Sequence, residues 1–235
     1  MPRINYVVNA WTGNRRNDRT DYPYIIDHIR SLEKLEHNLS QITIVIPHHQ
    51  NISKIEHLRS IREIRQTPVV IIDRENSGLS YGCFSHAYAQ FTNQFDYYIF
   101  MEDDYVFVKD NFDKIMTHLI KSKHNCGYLC GLILDQTNSP FERHGGISYG
   151  IAKQAALEKI AEIYGRIPYR ENSTNCMEIA MTQVEFTRAF IEAGYEIQDL
   201  TSHYKAKFRC DIRGVTDFAP WQKESLIEPI MTGKD

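Results

Sequence analysis

The 235-residue chain has no apolar run approaching the roughly 18–20 residues that a helix needs to span a bilayer. Its opening residues, Met1-Pro2-Arg3-Ile4-Asn5-Tyr6, lack the apolar core of a secretory leader. Cysteine is sparse. The five residues, at 83, 126, 130, 176 and 210, are odd in number and scattered. Cys126 and Cys130 are too far apart for a CxxC pair, and no second pair has zinc spacing. Reduced thiols in a cytosolic protein are therefore expected. A strong excess of one charge is also missing. Against 30 Asp plus Glu stand 27 Lys plus Arg, for a net charge of -3. That balance argues against a general nucleic-acid coat protein. The chain shows no internal repeat, low-complexity tract or clear linker, so a single domain over 1–235 is the simplest division.

What is present is a core-forming composition. Hydrophobic residues make up 42%, with 14 Tyr and 11 Phe, too much apolar surface for a disordered chain. The pattern alternates between strands and helices. Ile4–Asn9 reads as a strand, followed by the polar loop Trp11–Thr20. Tyr24–Leu39 is expected to be helical, with Ile25, Ile29, Leu32 and Leu35 near one face. Ile42–Ile46 is a β-branched strand stopped by Pro47. Ser53 and Glu56 form a capping-box pattern for a helix carrying Ile55, Leu58 and Ile61. Val69–Ile72 is a third strand, and Tyr81, Phe84, Tyr88 and Phe91 make one stripe of the helix after it. Tyr97–Met101 is a fourth strand, and Asp110 is placed to cap the next helix. Beyond Gly127 come a strand at Tyr128–Leu134, a short one at Ile147–Tyr149 and helices near 152–164 and 177–193, the second ended by Gly194. From about 200 onward the chain reads as polar and irregular.

Four strand–helix units in succession predict an α/β fold with a central, mostly parallel sheet flanked by helices. Such sheets bind ligands at the carboxyl ends of their strands. Two segments there carry chemistry. Tyr97-Tyr98-Ile99-Phe100-Met101 runs straight into Glu102-Asp103-Asp104. In a strand, residues two apart share a face, so Glu102 and Asp104 would point together and Asp103 away. Three adjacent carboxylates repel one another, and a divalent cation relieves that repulsion. Mg²⁺ or Mn²⁺ prefers about six oxygens, some of which a substrate diphosphate can supply. A solvated acidic turn would use the same residues. The second segment, Val69-Val70-Ile71-Ile72-Asp73-Arg74-Glu75-Asn76-Ser77-Gly78-Leu79-Ser80-Tyr81-Gly82, turns from a strand into a helix through Asn76, Gly78 and Gly82. The glycines allow a sharp turn and close approach, and the helix start offers free N–H groups.

In this order the two segments resemble the nucleotide-sugar glycosyltransferases of Rossmann-like GT-A fold, over roughly residues 3–200. Glu102-Asp103-Asp104 is similar to that family's DXD-like motif, with Glu in place of the first Asp. The resemblance implies a UDP- or GDP-sugar donor, a Mn²⁺ or Mg²⁺ ion and a glycan or other hydroxyl acceptor. It implies a nucleotide-binding half over about 1–108, an acceptor and catalytic half over about 109–200 and a flap or tail over about 201–235. Glu102 and Asp104 would ligate the metal, joined by His203 after the strand that follows Gly194. Asn9, Ala10, Trp11, Asp73, Asn76, Ser80 and Asp103 would line the nucleotide site. In inverting members an acidic helix ending in Ala-Gly-Tyr carries the base. Here Ala193-Gly194-Tyr195 fits, but the expected position falls on Gln183, so Glu185 or Glu178 would have to substitute.

Lys205, Lys207, Arg209 and Arg213 form a basic stretch that could close over a leaving diphosphate. Arg143-His144-Gly145-Gly146-Ile147-Ser148 looks like a loop facing sugar or acceptor. His48 and His49 stand at another strand end with no carboxylate pattern nearby. Two other classes stay open. A metal-dependent nucleotidyl or phosphoryl transferase would show a Gly-rich loop with a phosphate-binding cation after the first strand. The loop has Arg15, Arg16 and Arg19 but only Gly13. A non-catalytic nucleotide-sugar-binding protein would be consistent with Gln183.

Overall fold

In a computed structural model the chain is described over residues 1–11, 23–48, 52–135, 142–146, 149–171, 176–210, 214–218 and 223–230. Its first half alternates as expected. Strand β1 (Ile4–Asn9) is followed by helix α1 (Tyr24–Lys34) and strand β2 (Gln41–Pro47). A 3₁₀ helix (Ile52–Ser60), the short strand β3 (Glu63–Ile64), strand β4 (Thr67–Arg74) and helix α2 (Leu79–Gln90) come next. Strands β5 (Tyr97–Met101) and β6 (Tyr105–Phe107) precede helix α3 (Phe112–Ser122).

The second half holds β7 (Cys126–Cys130), the two-residue strands β8 (Ile133–Leu134) and β9 (His144–Gly145), and β10 (Gly150–Lys153). Helices α4 (Gln154–Tyr164) and α5 (Cys176–Glu192) lead to β11 (Glu196–Asp199). The chain then forms β12 (Ala206–Cys210), β13 (Gly214–Phe218) and β14 (Ile227–Pro229).

The main sheet has eight strands in the order β11-β7-β10-β5-β1-β2-β4-β3. Strands β4, β2, β1 and β5 run parallel, as do β7 and β11. The edge strand β3 is antiparallel to β4. Strand β10 is antiparallel to both β5 and β7, so the second half of the sheet is mixed. The chain steps outward from β1 through β2 to β4 and then crosses back to place β5 on the other side of β1. A reversal of winding direction opens a crevice at the strand ends, and here it falls between β1 and β5.

Strand alternation sorts the core into two layers. Tyr6, Val8, Ile44, Ile99 and Met101 face α1 and α3. Val7, Val45, Ile72, Tyr98 and Phe100 face α2, α4 and α5. Aromatic rings tie the second layer together. Phe84 stacks on Phe100 at 4.7 Å between centroids, Tyr81 meets Phe186 at 4.8 Å, and Tyr128 packs on both Phe186 and Phe190 at 5.2 Å.

Several elements differ from the sequence reading. Helix α1 stops at Lys34 rather than Leu39, because the next backbone donors are taken by side chains before and within α3. Asp110 accepts from the Glu36 N–H (2.7 Å) and Asp113 from the Asn38 N–H (3.0 Å). Asp110 is thus not the cap of α3, whose N-cap is Asn111 in the left-handed region (φ 57°). The segment after Pro47 is 3₁₀ rather than α-helical, with Arg59 paired to Glu56 three residues back, the neighbour spacing of that helix. The strand expected at Ile147–Tyr149 is found at Gly150–Lys153, with 147 and 148 outside the described residues. The C-terminal region is not irregular. Strands β12 and β13 form a hairpin, and β14 pairs with β6 in the register Ile227↔Phe107 and Pro229↔Tyr105. Among the described residues no helix is long and apolar enough to cross a membrane.

His28 of α1 is fully buried, with Nε2 2.7 Å from the Tyr6 hydroxyl. Burial lowers its pKa to about 4, against smaller opposing pulls from the Tyr105 and Asp103 backbone. Between about pH 6.5 and pH 4 the unfolded chain therefore binds a proton that the folded chain refuses. Stability is fully present above pH 6.5 and falls by about 3 kcal/mol as the pH drops to 4. Urea unfolding midpoints across that range should fall more steeply in wild type than in His28→Gln, and parallel curves would refute the assignment.

Candidate functional site

The crevice between β1 and β5 gathers most of the residues singled out in the sequence. Strand β5 ends at Met101, and the chain turns before it can continue the alternation. The three acids therefore do not follow strand parity. Glu102 is half-buried, Asp103 is 1% exposed and Asp104 is 8% exposed. Each is held from a different direction. The Ser80 hydroxyl, in the first turn of α2, donates to Glu102 Oε1 at 2.8 Å. The Trp11 backbone N–H, just past β1, donates to Asp103 Oδ2 at 2.9 Å. The Ile230 N–H donates to the Asp104 carbonyl at 2.7 Å, so the segment after β14 braces the turn. From the opposite layer, buried His28 lies under the backbone of Asp103 and Tyr105.

Asn9 and Ala10 close the end of β1. Both are buried, and the Ala10 N–H donates to the Val45 carbonyl at 2.8 Å. The Asn9 side chain points into the same layer as Val7, towards α2, and its Oδ1 is buried without a hydrogen-bond partner among the described residues. An orphaned buried acceptor of this kind marks a position where a ligand donor would be favoured.

Helix α2 begins in a constrained way. Gly78 has φ 70° and Leu79 φ 50°. The Gly78 N–H donates to the Glu171 carbonyl at 3.2 Å, and the Tyr169 ring covers the Cα so closely that a Cβ would lie 2.0 Å from Cδ2. Only glycine suits both the backbone angle and that contact. The loop before α5 is thereby locked onto the start of α2. Gly78→Ala should lower stability by at least about 2 kcal/mol, through steric clash and left-handed strain together. Chemical denaturation would show it, and a loss below 0.5 kcal/mol would contradict the packing.

Other predicted positions lie elsewhere. Asp73, at the end of β4, is 39% exposed in its side chain and ion-paired with Arg59, with His48 Nε2 at 3.8 Å. Asn76 is exposed in the turn that follows. His203 is exposed in the turn after β11, on the far edge of the sheet, three strands from β5. Among the described residues no three His, Cys, Asp or Glu side chains form a ready metal-binding group.

Glu178 and Glu185 are both half-buried on α5. Glu185 Oε1 accepts from Arg170 Nε at 2.9 Å and Nη2 at 2.6 Å, a cation partner that the sequence reading did not foresee. Gly145, from the Gly-rich loop, donates its N–H to Thr187 Oγ1 at 3.0 Å, and His144 is buried in β9. Lys205 bridges to Ser225, while Lys207 and Arg209 lie on β12. His49, Arg15, Arg16, Arg19 and Arg213 are outside the described residues. Cys83, Cys126 and Cys130 are free and buried. Two residues at the site carried a sequence signal that local reading passed over. Arg74 is a charged residue ending an apolar strand, and Arg170 precedes the acidic helix.

No family model matches the chain, and no curated protein matches it by sequence. Solved structures do share its fold. It is similar to a cytidylyltransferase from Leptospira borgpetersenii serovar Hardjo-bovis (11% identity, TM-score 0.51), covering 85% of this chain and 76% of that one. It is also similar to the mannosyltransferase PcManGT from Pyrobaculum calidifontis, described in complex with GDP-Man and Mn²⁺ (13% identity, TM-score 0.54). That match covers 84% of this chain, which spans about half (54%) of the mannosyltransferase chain. At these identities the likeness concerns the fold, and the Rossmann-like α/β architecture expected from the sequence is present.

Proposed function

We propose that this chain is a metal-dependent glycosyltransferase that moves a sugar from a nucleoside diphosphate-sugar to an acceptor hydroxyl. The observation that carries the reading is the convergence at the β1/β5 crevice. An acidic turn is tied to the end of β1 through Trp11–Asp103 and to the start of α2 through Ser80–Glu102. The mannosyltransferase of like fold, seen with GDP-Man and Mn²⁺, supports a donor and ion of this class.

The donor set fits the ion in kind. Glu102 and Asp104 offer hard carboxylate oxygens, which suit Mg²⁺ or Mn²⁺ and leave positions for diphosphate oxygens. When bound, the ion would stabilise negative charge on the departing diphosphate. The protein's own groups do the rest. Ser80 fixes the rotamer of Glu102, and the Trp11 N–H keeps Asp103 turned inward, away from the ligand positions. Asn9 offers its carboxamide to the base or ribose, with Ala10 and Trp11 as the floor. Asp73 and Asn76 stand at the outer rim, where they would meet the nucleoside. An inverting reaction would place the acceptor hydroxyl against α5, with Glu185 taking its proton on Oε2 because Arg170 occupies Oε1. Glu178, seven residues earlier, is the alternative acceptor of that proton. His203 would join the metal only after movement of the turn that follows β11.

Asp104→Ala should lower donor hydrolysis or transfer about 100-fold or more with Mn²⁺ present, and full activity in that variant would contradict the site. Glu185→Gln should reduce kcat for transfer by about 100-fold while leaving donor affinity nearly unchanged. A kcat equal to wild type would move the base to Glu178 or indicate a retaining reaction. The fold of a cytidylyltransferase keeps nucleotidyl transfer as the second reading. Product analysis separates the two: glycosyl transfer releases a nucleoside diphosphate, whereas nucleotidyl transfer consumes a nucleoside triphosphate and releases pyrophosphate.

A further inference from the structure

Strand β6 begins directly after the acidic turn and lies outside the main sheet. Its strand partner is β14, from the far end of the chain. A ribbon of two three-residue strands is marginal by itself. Burial holds this one. Tyr105, Phe107, Leu226 and Ile227 are all buried, in the layer that contains Tyr6 and Met101. The Phe107 ring stacks on Phe112 at 4.0 Å between centroids, and Tyr105 meets Tyr149 at 5.0 Å. The start of the C-terminal segment is anchored separately. Lys223 Nζ donates to the Thr201 carbonyl at 2.6 Å, the Lys205 N–H donates to the Glu224 carbonyl at 3.0 Å, and the Glu224 side chain is ion-paired with Lys109.

The ladder between β6 and β14 runs past both strands. The Val108 N–H donates to the Leu226 carbonyl at 3.0 Å, and the Ile230 N–H donates to the Asp104 carbonyl at 2.7 Å. Both bonds keep the register Ile227↔Phe107 and Pro229↔Tyr105. Hydrogen-bonded and non-bonded pairs alternate in an antiparallel ladder. Pro229, opposite Tyr105, therefore falls on the non-bonded set, where its missing N–H costs no bond. The next donor along, Ile230, closes on Asp104. The third acid is thus the last rung of a ladder that the C-terminal segment supplies. Pairing fixes the Asp104 backbone, and the backbone sets the direction in which the carboxylate leaves it.

We infer that β14 and the Ile230 N–H are a positioning element of the metal site. They hold the Asp104 backbone in place, so that a divalent ion and a nucleoside diphosphate meet a carboxylate already aimed rather than one ordered on binding. The inference rests on the metal-dependent transferase reading and adds to it a group from outside the crevice. Linkage makes the effect reciprocal. Whatever the brace adds to ion affinity, the bound ion adds to the stability of the brace.

The test is Mn²⁺ binding by the full chain with UDP and separately with GDP. The free-ion electron paramagnetic resonance signal reads it, against a protein-free blank. Ile230→Pro deletes the N–H and should weaken Mn²⁺ binding about 10-fold or more, because the Asp104 carbonyl loses its partner and the carboxylate its fixed direction. Ile230→Ala keeps the N–H and should stay within about 2-fold of wild type. Hydrogen exchange on the wild-type chain carries the test if Ile230→Pro fails to fold. Segment 226–230 should exchange at least about 5-fold more slowly with Mn²⁺ and diphosphate than in EDTA. Segment 62–69, at the other edge of the sheet, should change less than about 2-fold. Unchanged Mn²⁺ affinity in folded Ile230→Pro, equal losses in both variants, or exchange in segment 226–230 that ignores the ion would overturn the positioning role and leave the transferase reading standing. Failure of wild type to bind Mn²⁺ with either diphosphate would overturn both.

Discussion

The hydrogen bond from the Trp11 N–H to Asp103 joins the end of β1 to the turn after β5, and the site's geometry depends on it. The two strands are neighbours in the sheet but are separated in sequence by β2, β3, β4, two α-helices and a 3₁₀ helix. Their ends meet because the winding direction reverses between them, which opens the crevice that open α/β sheets use for ligands. The bond turns one carboxylate oxygen of Asp103 towards the end of β1. The Ile230 N–H braces the same turn from the C-terminal segment.

The second layer connects this crevice to the rest of the molecule. Tyr81 and Phe84 on α2 pack with Phe100 on β5 and Phe186 on α5, so the helix that holds Glu102 and the helix that bears Glu185 share one aromatic cluster. Rings of this size interdigitate with few alternative arrangements. The loop from Arg166 to Glu171 adds a further link. Its Tyr169 ring covers Gly78, its Glu171 carbonyl receives the Gly78 N–H, and its Arg170 grips Glu185. One short loop thus touches both the start of α2 and the candidate base.

The electrostatic design is uneven. Acidic groups collect at the β5 side of α2 and a buried guanidinium at the β4 side.

Much of the framework was legible in the residues alone. Apolar runs located β1, β2, β4 and β5, with β4 two residues longer at each end than the run suggested, and the Tyr81–Phe84–Tyr88 stripe located α2, because burial on one face or both leaves a periodic trace in the chain. The acidic triplet at a strand end and the glycines around the start of α2 also pointed to segments that meet through Ser80 and Glu102. What the residues could not declare were partners distant in sequence. Asp110 reads locally as a helix cap but bonds Glu36, Glu185 reads as a free carboxylate but is held by Arg170, and the polar C-terminal segment hides a strand that pairs with β6. Periodicity reports which way a side chain faces, whereas pairing depends on which elements the fold brings alongside. The order of strands, the inward turn of Asp103 and the burial of Arg74 against Ser77 and Cys83 were therefore decided only by tertiary structure.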